Sequence, residues 1–224
     1  LESTTNNKLN FLIELGINHE EQHQELMHMD IKYIFNTNPH KIKYIKSKIP
    51  KRKIDDKQWE SFEGNIYKIG HEKKDFSYDN EQPMHKVYIQ PFKIHKQFVS
   101  NKDYVHFIED EGYSKPALWL SKGWDWIKEK DIIKPEYWYK KDNKWYEFTL
   151  HGLLPINDNA PVSHISYYEA SAYAKWKSCR LPTEEESEIY LKNPEINKIR
   201  NNKNVYQAYD TDIATNNLWW WTFY

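Results

Sequence analysis

The 224 residues carry 32 basic and 33 acidic side chains, a formal net charge of -1, so no overall field draws the chain toward nucleic acid or an anionic membrane. Hydrophobic residues make up 39% of the sequence, yet no apolar run approaches the roughly 18 residues that a membrane span requires, and the chain reads as soluble. With Cys179 as its single cysteine, an intrachain disulfide and a multi-thiolate zinc site are excluded. That usage fits a reducing compartment such as the cytoplasm, and Cys179 is expected as a small buried residue.

From about Lys8 to Phe35 the apolar residues Leu9, Leu12, Leu15, Leu26, Ile31 and Ile34 recur at helical spacing, ending before the breakers of "NTNPHK". One long helix or two abutting ones are predicted. Within it, "HEEQH" (19–23) satisfies the H-E-x-x-H pattern of zinc peptidases. On a helix, His23 lies about 40° from His19 and Gln22 about 60° to the other side, so these three share one sector, while Glu20 stands about 100° away. Asp30 continues the stripe; Glu21, Glu25 and His28 fall elsewhere. A peptidase also needs a third ligand, but Met29 and Leu26 occupy the positions of the metzincin His and Gly, and no Glu occurs between Glu25 and Glu60. A zinc peptidase is therefore disfavoured. Two histidines at i and i+4 remain open to two readings, a structural pair or two nitrogen ligands of a different metal site.

Between Pro39 and Lys57 the sequence turns basic, which predicts a solvated linker with one anchoring face of isoleucines. Strand-like runs follow at "IYKIG" (66–70), "HKVYIQPFKIH" (85–95) and "PVSHIS" (161–166). Three helix starts are marked by Ser100 with Asp103, Ser166 with Glu169 and Thr183 with Glu186, and Gly112 is expected to stop the first of them. Ten Trp and 17 Tyr predict a loop-rich α+β fold held by aromatic packing. Asn193 to Asn204 reads as a solvated surface loop.

The stretch "NHEEQHQELMHMDIKYIFNTNP" resembles the H-x3-H-x-E segment of the ergothioneine-biosynthesis sulfoxide synthases (hercynine oxygenases) and their ovothiol counterparts. The resemblance continues in register through "DNEQPMH", "KPEYWY", "RLPTEEESE" and "NNLWWWT", and so covers most of the chain from Gly16 to Thr222. It implies an α+β protein: residues 1–38 would be part of a DinB-type helical bundle, 39–58 a basic linker, and 59–224 an irregular formylglycine-generating-enzyme-like, C-type-lectin-related domain, incomplete at its C-terminus. A non-haem iron(II) would sit in the cleft between the domains, with His19 and His23 as two of three histidine ligands and Gln22 facing the bound substrate. The implied substrates are hercynine, cysteine or γ-glutamylcysteine, and O2. Histidine as acceptor, giving ovothiol-type chemistry, is the alternative within the family. The family's first histidine ligand and its proton-donating tyrosine have no match here, so the chain is expected to be shortened at both ends and inactive alone. Ser187 and Trp220 also depart from the usual Trp and acidic residue at their positions. The rivals from other classes are a non-catalytic binding module of the same fold and a zinc-dependent hydrolase or thiol transferase.

Overall fold

A computed structural model describes residues 2–46, 59–72, 75–193 and 221–222. They divide into two compact units, one of residues 1–42 with 65–89 and the other of residues 43–64 with 90–224.

The first unit begins with a single helix, α1 (Glu2–Thr37). It extends past the predicted end because Thr37 Oγ1 and the Asn38 N–H both bond the Ile34 carbonyl, closing the last turn. The rest of the unit is an antiparallel pair, β2 (Asn65–Ile69) with β3 (His85–Ile89), after β1 (Trp59–Phe62) of the other unit. Ile69 and Ile89 are buried, whereas the cross-strand pair Ile66 and Tyr88 faces outward. The "DNEQP" residues shape the β2–β3 connection. The Glu81 carboxylate accepts from the Tyr78 N–H at 2.8 Å and the Glu81 carbonyl from the His71 N–H at 2.8 Å.

In the second unit β1 pairs with β4 (Phe92–His95). The predicted run 85–95 is thus two strands in two sheets, parted at Gln90 and Pro91, where proline has no N–H to give a ladder. The 161–166 run is no strand: only an isolated bridge joins Ser100 to Pro161, and His164 adopts a left-handed φ of 57° that ends extended backbone.

Three helices follow their predicted caps. In α2 (Asn101–Glu109) Ser100 accepts from the Asp103 N–H; α4 (Tyr167–Trp176) and α5 (Glu184–Leu191) carry full capping boxes from Ser166 with Glu169 and Thr183 with Glu186. A further helix, α3 (Ser121–Glu129), and a three-stranded meander, β5 (Trp138–Lys141), β6 (Lys144–Thr149) and β7 (Gly152–Pro155), lie between them. The β5–β6 turn is Asp142-Asn143 with φ of 49° and 58°. Those signs match the two-residue type I′ hairpin that asparagine and aspartate favour.

Gly112 is not the helix stop it is expected to be. The left-handed residue is Glu111, with φ 57°, and Gly112 opens a short 3-10 turn instead. Its missing Cβ is needed for space, because one there would lie 2.2 Å from the Phe107 ring. The core of this unit is aromatic: Tyr104, Phe107, Tyr113, Trp119, Trp138 and Tyr173 are buried together with Ile127 and Ala172. Tyr104 stacks on Tyr173 at 5.4 Å, and Phe107 meets Tyr113 at 5.7 Å and Trp176 at 5.6 Å. Ala172, buried in that cluster, is small enough to let the rings approach the α4 backbone.

Cys179 is exposed rather than buried. It lies in the turn after α4, beyond the left-handed Ser178, outside the aromatic core. Of the basic linker, residues 47–58 lie outside the described residues, while the Tyr44 and Ile45 N–H groups both donate to the Leu150 carbonyl at 2.9 Å. Most of the predicted loop from Asn193 to Asn204 is also outside the described residues, as is Trp220.

Candidate metal centre

His19, Gln22 and His23 all stand on α1, so the helical period alone sets their relation. The two imidazole rings have centroids 4.5 Å apart with planes at 87°. All three side chains are exposed, and neither ring has a hydrogen bond within the described residues. His28, one turn on and off the sector, is held instead by its own helix, its Nδ1 lying 2.8 Å from the Gln24 carbonyl oxygen. Asp30 is exposed on the same sector as the pair. Among the described residues no group of three or more His, Cys, Asp or Glu side chains is placed to hold a metal ion. Among the described residues the structure therefore brings together two imidazoles and an amide, without a third ligand.

Imidazole nitrogens are donors that suit ferrous iron, and the donor set of His19 and His23 fits part of such a site. Leu12 and Leu26 share the sector of the two histidines and are 50% and 42% exposed.

The other signature elements build structure rather than a reacting centre. In "RLPTEEE", Arg180 forks onto Glu186 with Nη1–Oε2 and Nη2–Oε1 contacts of 2.6 and 2.5 Å, while the Thr183 N–H donates to Glu186 Oε2 at 2.9 Å. Burial pushes the Glu186 carboxyl up, but the hydrogen bonds from Arg180 and Thr183 outweigh it and hold that group below the usual carboxylate range. Ser187, in the position where the resemblance calls for tryptophan, is buried and donates to the Thr183 carbonyl at 2.9 Å. Trp221 bonds the Ile165 carbonyl through Nε1 at 2.9 Å and meets the Tyr167 ring edge-on at 6.0 Å, so this residue of "WWWT" seals the start of α4.

Sequence reasoning missed a buried polar chain inside the aromatic core. Tyr113 donates to Glu169 Oε1 at 2.5 Å, and its own oxygen lies 3.1 Å from the Tyr104 hydroxyl. Glu169 also accepts from the Ser166 N–H at 2.7 Å. Burial raises its carboxyl above the usual range, against the hydrogen bonds that would lower it. The two phenols are likewise raised, chiefly by burial. The capping pattern identified Glu169, but nothing in spacing identified its tyrosine partners, which come from α2 and the turn after it.

Residues 55–222 match the sulfatase-modifying factor enzyme 1-like domain. The hercynine oxygenase of Mycolicibacterium smegmatis is 38% identical over 113 residues, which are 50% of this chain and 26% of that protein. The ergothioneine biosynthesis protein 1 of Schizosaccharomyces pombe is 33% identical over 113 residues, 50% of this chain and 12% of that protein. The inactive C-alpha-formylglycine-generating enzyme 2 of Mus musculus is 32% identical over 125 residues, 50% of this chain and 40% of that protein. The chain thus spans 26% of the length of the first of these relatives. With the match running through most of its length, this chain belongs to the sulfatase-modifying factor enzyme 1-like domain family.

Proposed function

We propose that this chain is part of an iron(II)- and O2-dependent sulfoxide synthase that joins a cysteine-type thiol to C2 of the hercynine imidazole. The single observation that carries the proposal is the presence, in a chain similar to hercynine oxygenases, of His19, Gln22 and His23 on one sector of one helix. In this reading residues 1–38 belong to a DinB-type bundle, 39–58 link it to the next domain, and 59–224 form a formylglycine-generating-enzyme-like domain of C-type-lectin-related fold. The cytoplasm is its compartment.

His19 and His23 would hold the iron, which when bound supplies the means to bring a thiolate and O2 together. The chain's own contribution is placement. The two imidazoles present nitrogen donors from one helix face, and Gln22, about 60° round from His19, offers an amide to the acceptor substrate. Cysteine and γ-glutamylcysteine are the thiols of the proposal.

Anaerobic Fe(II) titration tests the ligands. His19→Ala or His23→Ala is expected to weaken binding by at least roughly ten-fold, since losing even a hydrogen-bond partner of a metal ligand commonly costs that much. Equal affinity in the variants contradicts the assignment. Hercynine and each thiol, incubated under air with iron, give the activity readout: residues 1–224 alone are expected to form no sulfoxide, and the histidine variants are compared in a full-length protein. Sulfoxide formation that survives His23→Ala rules out a role for that residue as ligand. Zinc in place of iron, after purification from mixed metals, favours a hydrolase or thiol transferase.

A second reading, a non-catalytic binding module of the same fold, is favoured by the similarity to a relative named as inactive. Binding of hercynine or a thiol that is indifferent to iron and to both histidines would support it.

A further inference from the structure

The buried polar chain of the second unit has a direction. Tyr113 has one hydroxyl proton and gives it to Glu169 Oε1 at 2.5 Å, so in the 3.1 Å contact between the two phenols Tyr104 is the donor. Glu169 Oε2 accepts in turn from the Ser166 N–H at 2.7 Å. Both carboxylate oxygens are thus acceptors, the arrangement of the ionised form. Tyr104, Tyr113 and Glu169 are all buried, so the base that the Tyr113 proton faces is Glu169 rather than bulk water.

Rings in contact connect these phenols to the surface. Tyr104 stacks on Tyr173 at 5.4 Å, and Tyr173 meets the half-buried Trp176 at 5.6 Å, separations of touching aromatic rings. At the outer end Trp176 Nε1 donates to the Asp110 carboxylate at 2.7 Å. The Lys177 ammonium stands 4.5 Å from the Trp176 ring centre, and its charge makes a second positive charge on that ring costly.

Indoles and phenols lose a single electron more readily than most side chains, and an oxidised phenol is a strong acid. It forms most easily where an acceptor for its proton is already in place. Tyr113 has that acceptor, whereas the Tyr104 proton faces only another phenol. We infer that Tyr113 is the resting place of an oxidising equivalent taken up at the surface and passed inward through Trp176, Tyr173 and Tyr104, with Glu169 as its proton acceptor. A one-electron oxidant in solution, an oxygen-centred radical, takes one electron from the Trp176 indole and is itself reduced. An electron then moves outward from Tyr113 through Tyr104 and Tyr173 to refill the indole, while the Tyr113 proton crosses to Glu169 Oε1. What remains is a neutral tyrosyl radical beside a neutral glutamic acid, with the Tyr104 hydroxyl on the radical oxygen. A small thiolate reverses the step: it returns one electron along the same rings, leaves as a thiyl radical, and the proton goes back from Glu169 to Tyr113. His19 and His23 take no part, so this outcome is separate from that of the metal proposal.

The single cysteine makes the test local. Cys179 is exposed, three residues after Trp176, and a ruthenium polypyridyl photo-oxidant attached there injects the oxidising equivalent at the outer end when flashed with a soluble electron acceptor. Transient absorption and EPR are expected to show an indole radical that decays into a tyrosyl radical, more slowly in D2O than in H2O because a proton moves with the electron. An indole radical that persists without a tyrosyl signal overturns the path. Tyr113→Phe keeps the ring and is expected to abolish the tyrosyl signal; a signal that survives it overturns the assignment. Glu169→Gln retains an acceptor oxygen but takes up no proton, and is expected to slow tyrosyl formation by about 10²-fold or more, the usual worth of a positioned base. An unchanged rate overturns the role of Glu169. Should that variant lose the fold, the parent chain decides the proton step alone, since equal rates in H2O and D2O overturn it. Added thiol is expected to shorten the tyrosyl lifetime in proportion to its concentration, and a lifetime blind to thiol overturns the return step.

Discussion

Gly112→Ala probes the aromatic core through a single methyl group. The added Cβ would lie 2.2 Å from Phe107 Cε2, 2.4 Å from Cδ2 and 2.5 Å from Cζ, so the ring must retreat by about 1 Å to reach ordinary contact. It has nowhere to go. Phe107 has no exposed surface and is ringed by Tyr104 at 5.3 Å, Tyr113 at 5.7 Å, Tyr173 at 5.8 Å and Trp176 at 5.6 Å. Overpacking of a dense core costs about 1–3 kcal/mol, and the lack of a retreat path puts this site toward the upper end. Because Gly112 is not at positive φ, replacing it brings no backbone penalty, and the unfolded chain loses about 0.5 kcal/mol of entropy in favour of folding. The net loss is about 2–3 kcal/mol, a melting-temperature drop of roughly 5–10 °C for a chain of this size. Urea unfolding followed by tryptophan fluorescence measures it. Phe107→Leu makes room, so the double variant is expected to be at least about 1 kcal/mol more stable than the sum of the two single losses. A Gly112→Ala protein within about 0.5 kcal/mol of the parent, or strict additivity in the cycle, refutes the steric account.

Burial raises the folded carboxyl of Glu169. Between its unfolded pKa of about 4.3 and that higher folded value, the folded state binds more protons, and stability falls as pH rises through the window. Glu169→Gln is expected to flatten that slope in urea denaturation run across pH 4–7; parallel curves would contradict it. Glu186 acts with the opposite sign, since its folded carboxyl is lowered, so its share of stability is present above about 4.3 and lost as pH falls through the folded value. Arg180→Met should shrink that acid loss, and an unchanged acid limb would show that the Arg180 fork does not set it. Gly152 has φ of 94° and would place a Cβ 2.8 Å from Lys43 Cγ. Gly152→Ala is expected to cost about 1–2 kcal/mol from the backbone alone. Trimming Lys43 to Ala in the same chain should relieve the clash and leave that backbone loss, so full recovery in thermal melts would disprove the strain.

Local chemistry made the helix starts legible. Ser166 with Glu169 and Thr183 with Glu186 form reciprocal boxes because a short hydroxyl and a carboxylate three residues on satisfy each other's N–H groups whatever surrounds them. The same reasoning failed at Gly112, where the residue answers a ring that folding brings across its backbone, and at Pro161 to Ser166, where alternating apolar residues do not pair because of one proline and one left-handed histidine. The meander was available in the Asp142-Asn143 pair, whose side chains tolerate left-handed backbone, but the surrounding aromatics obscured it. Cys179 was misjudged because burial statistics describe a residue type, while its exposure follows from the turn that ends α4. Tyr113 could not be found by spacing at all, since its role depends on contacts between distant segments.

At the candidate metal centre the same contrast has a chemical consequence. The relation of His19, Gln22 and His23 is intrinsic to one helix and survives any packing. Their environment is not intrinsic. Leu12 and Leu26 of α1, which share their sector, are 50% and 42% exposed, whereas α2 and α4 bury their apolar faces in the aromatic core. Under the proposed reading, bundle helices cover the histidine sector and shield the two nitrogen donors from bulk water. Metal affinity would then depend on burial of that sector as well as on the presence of the two histidines.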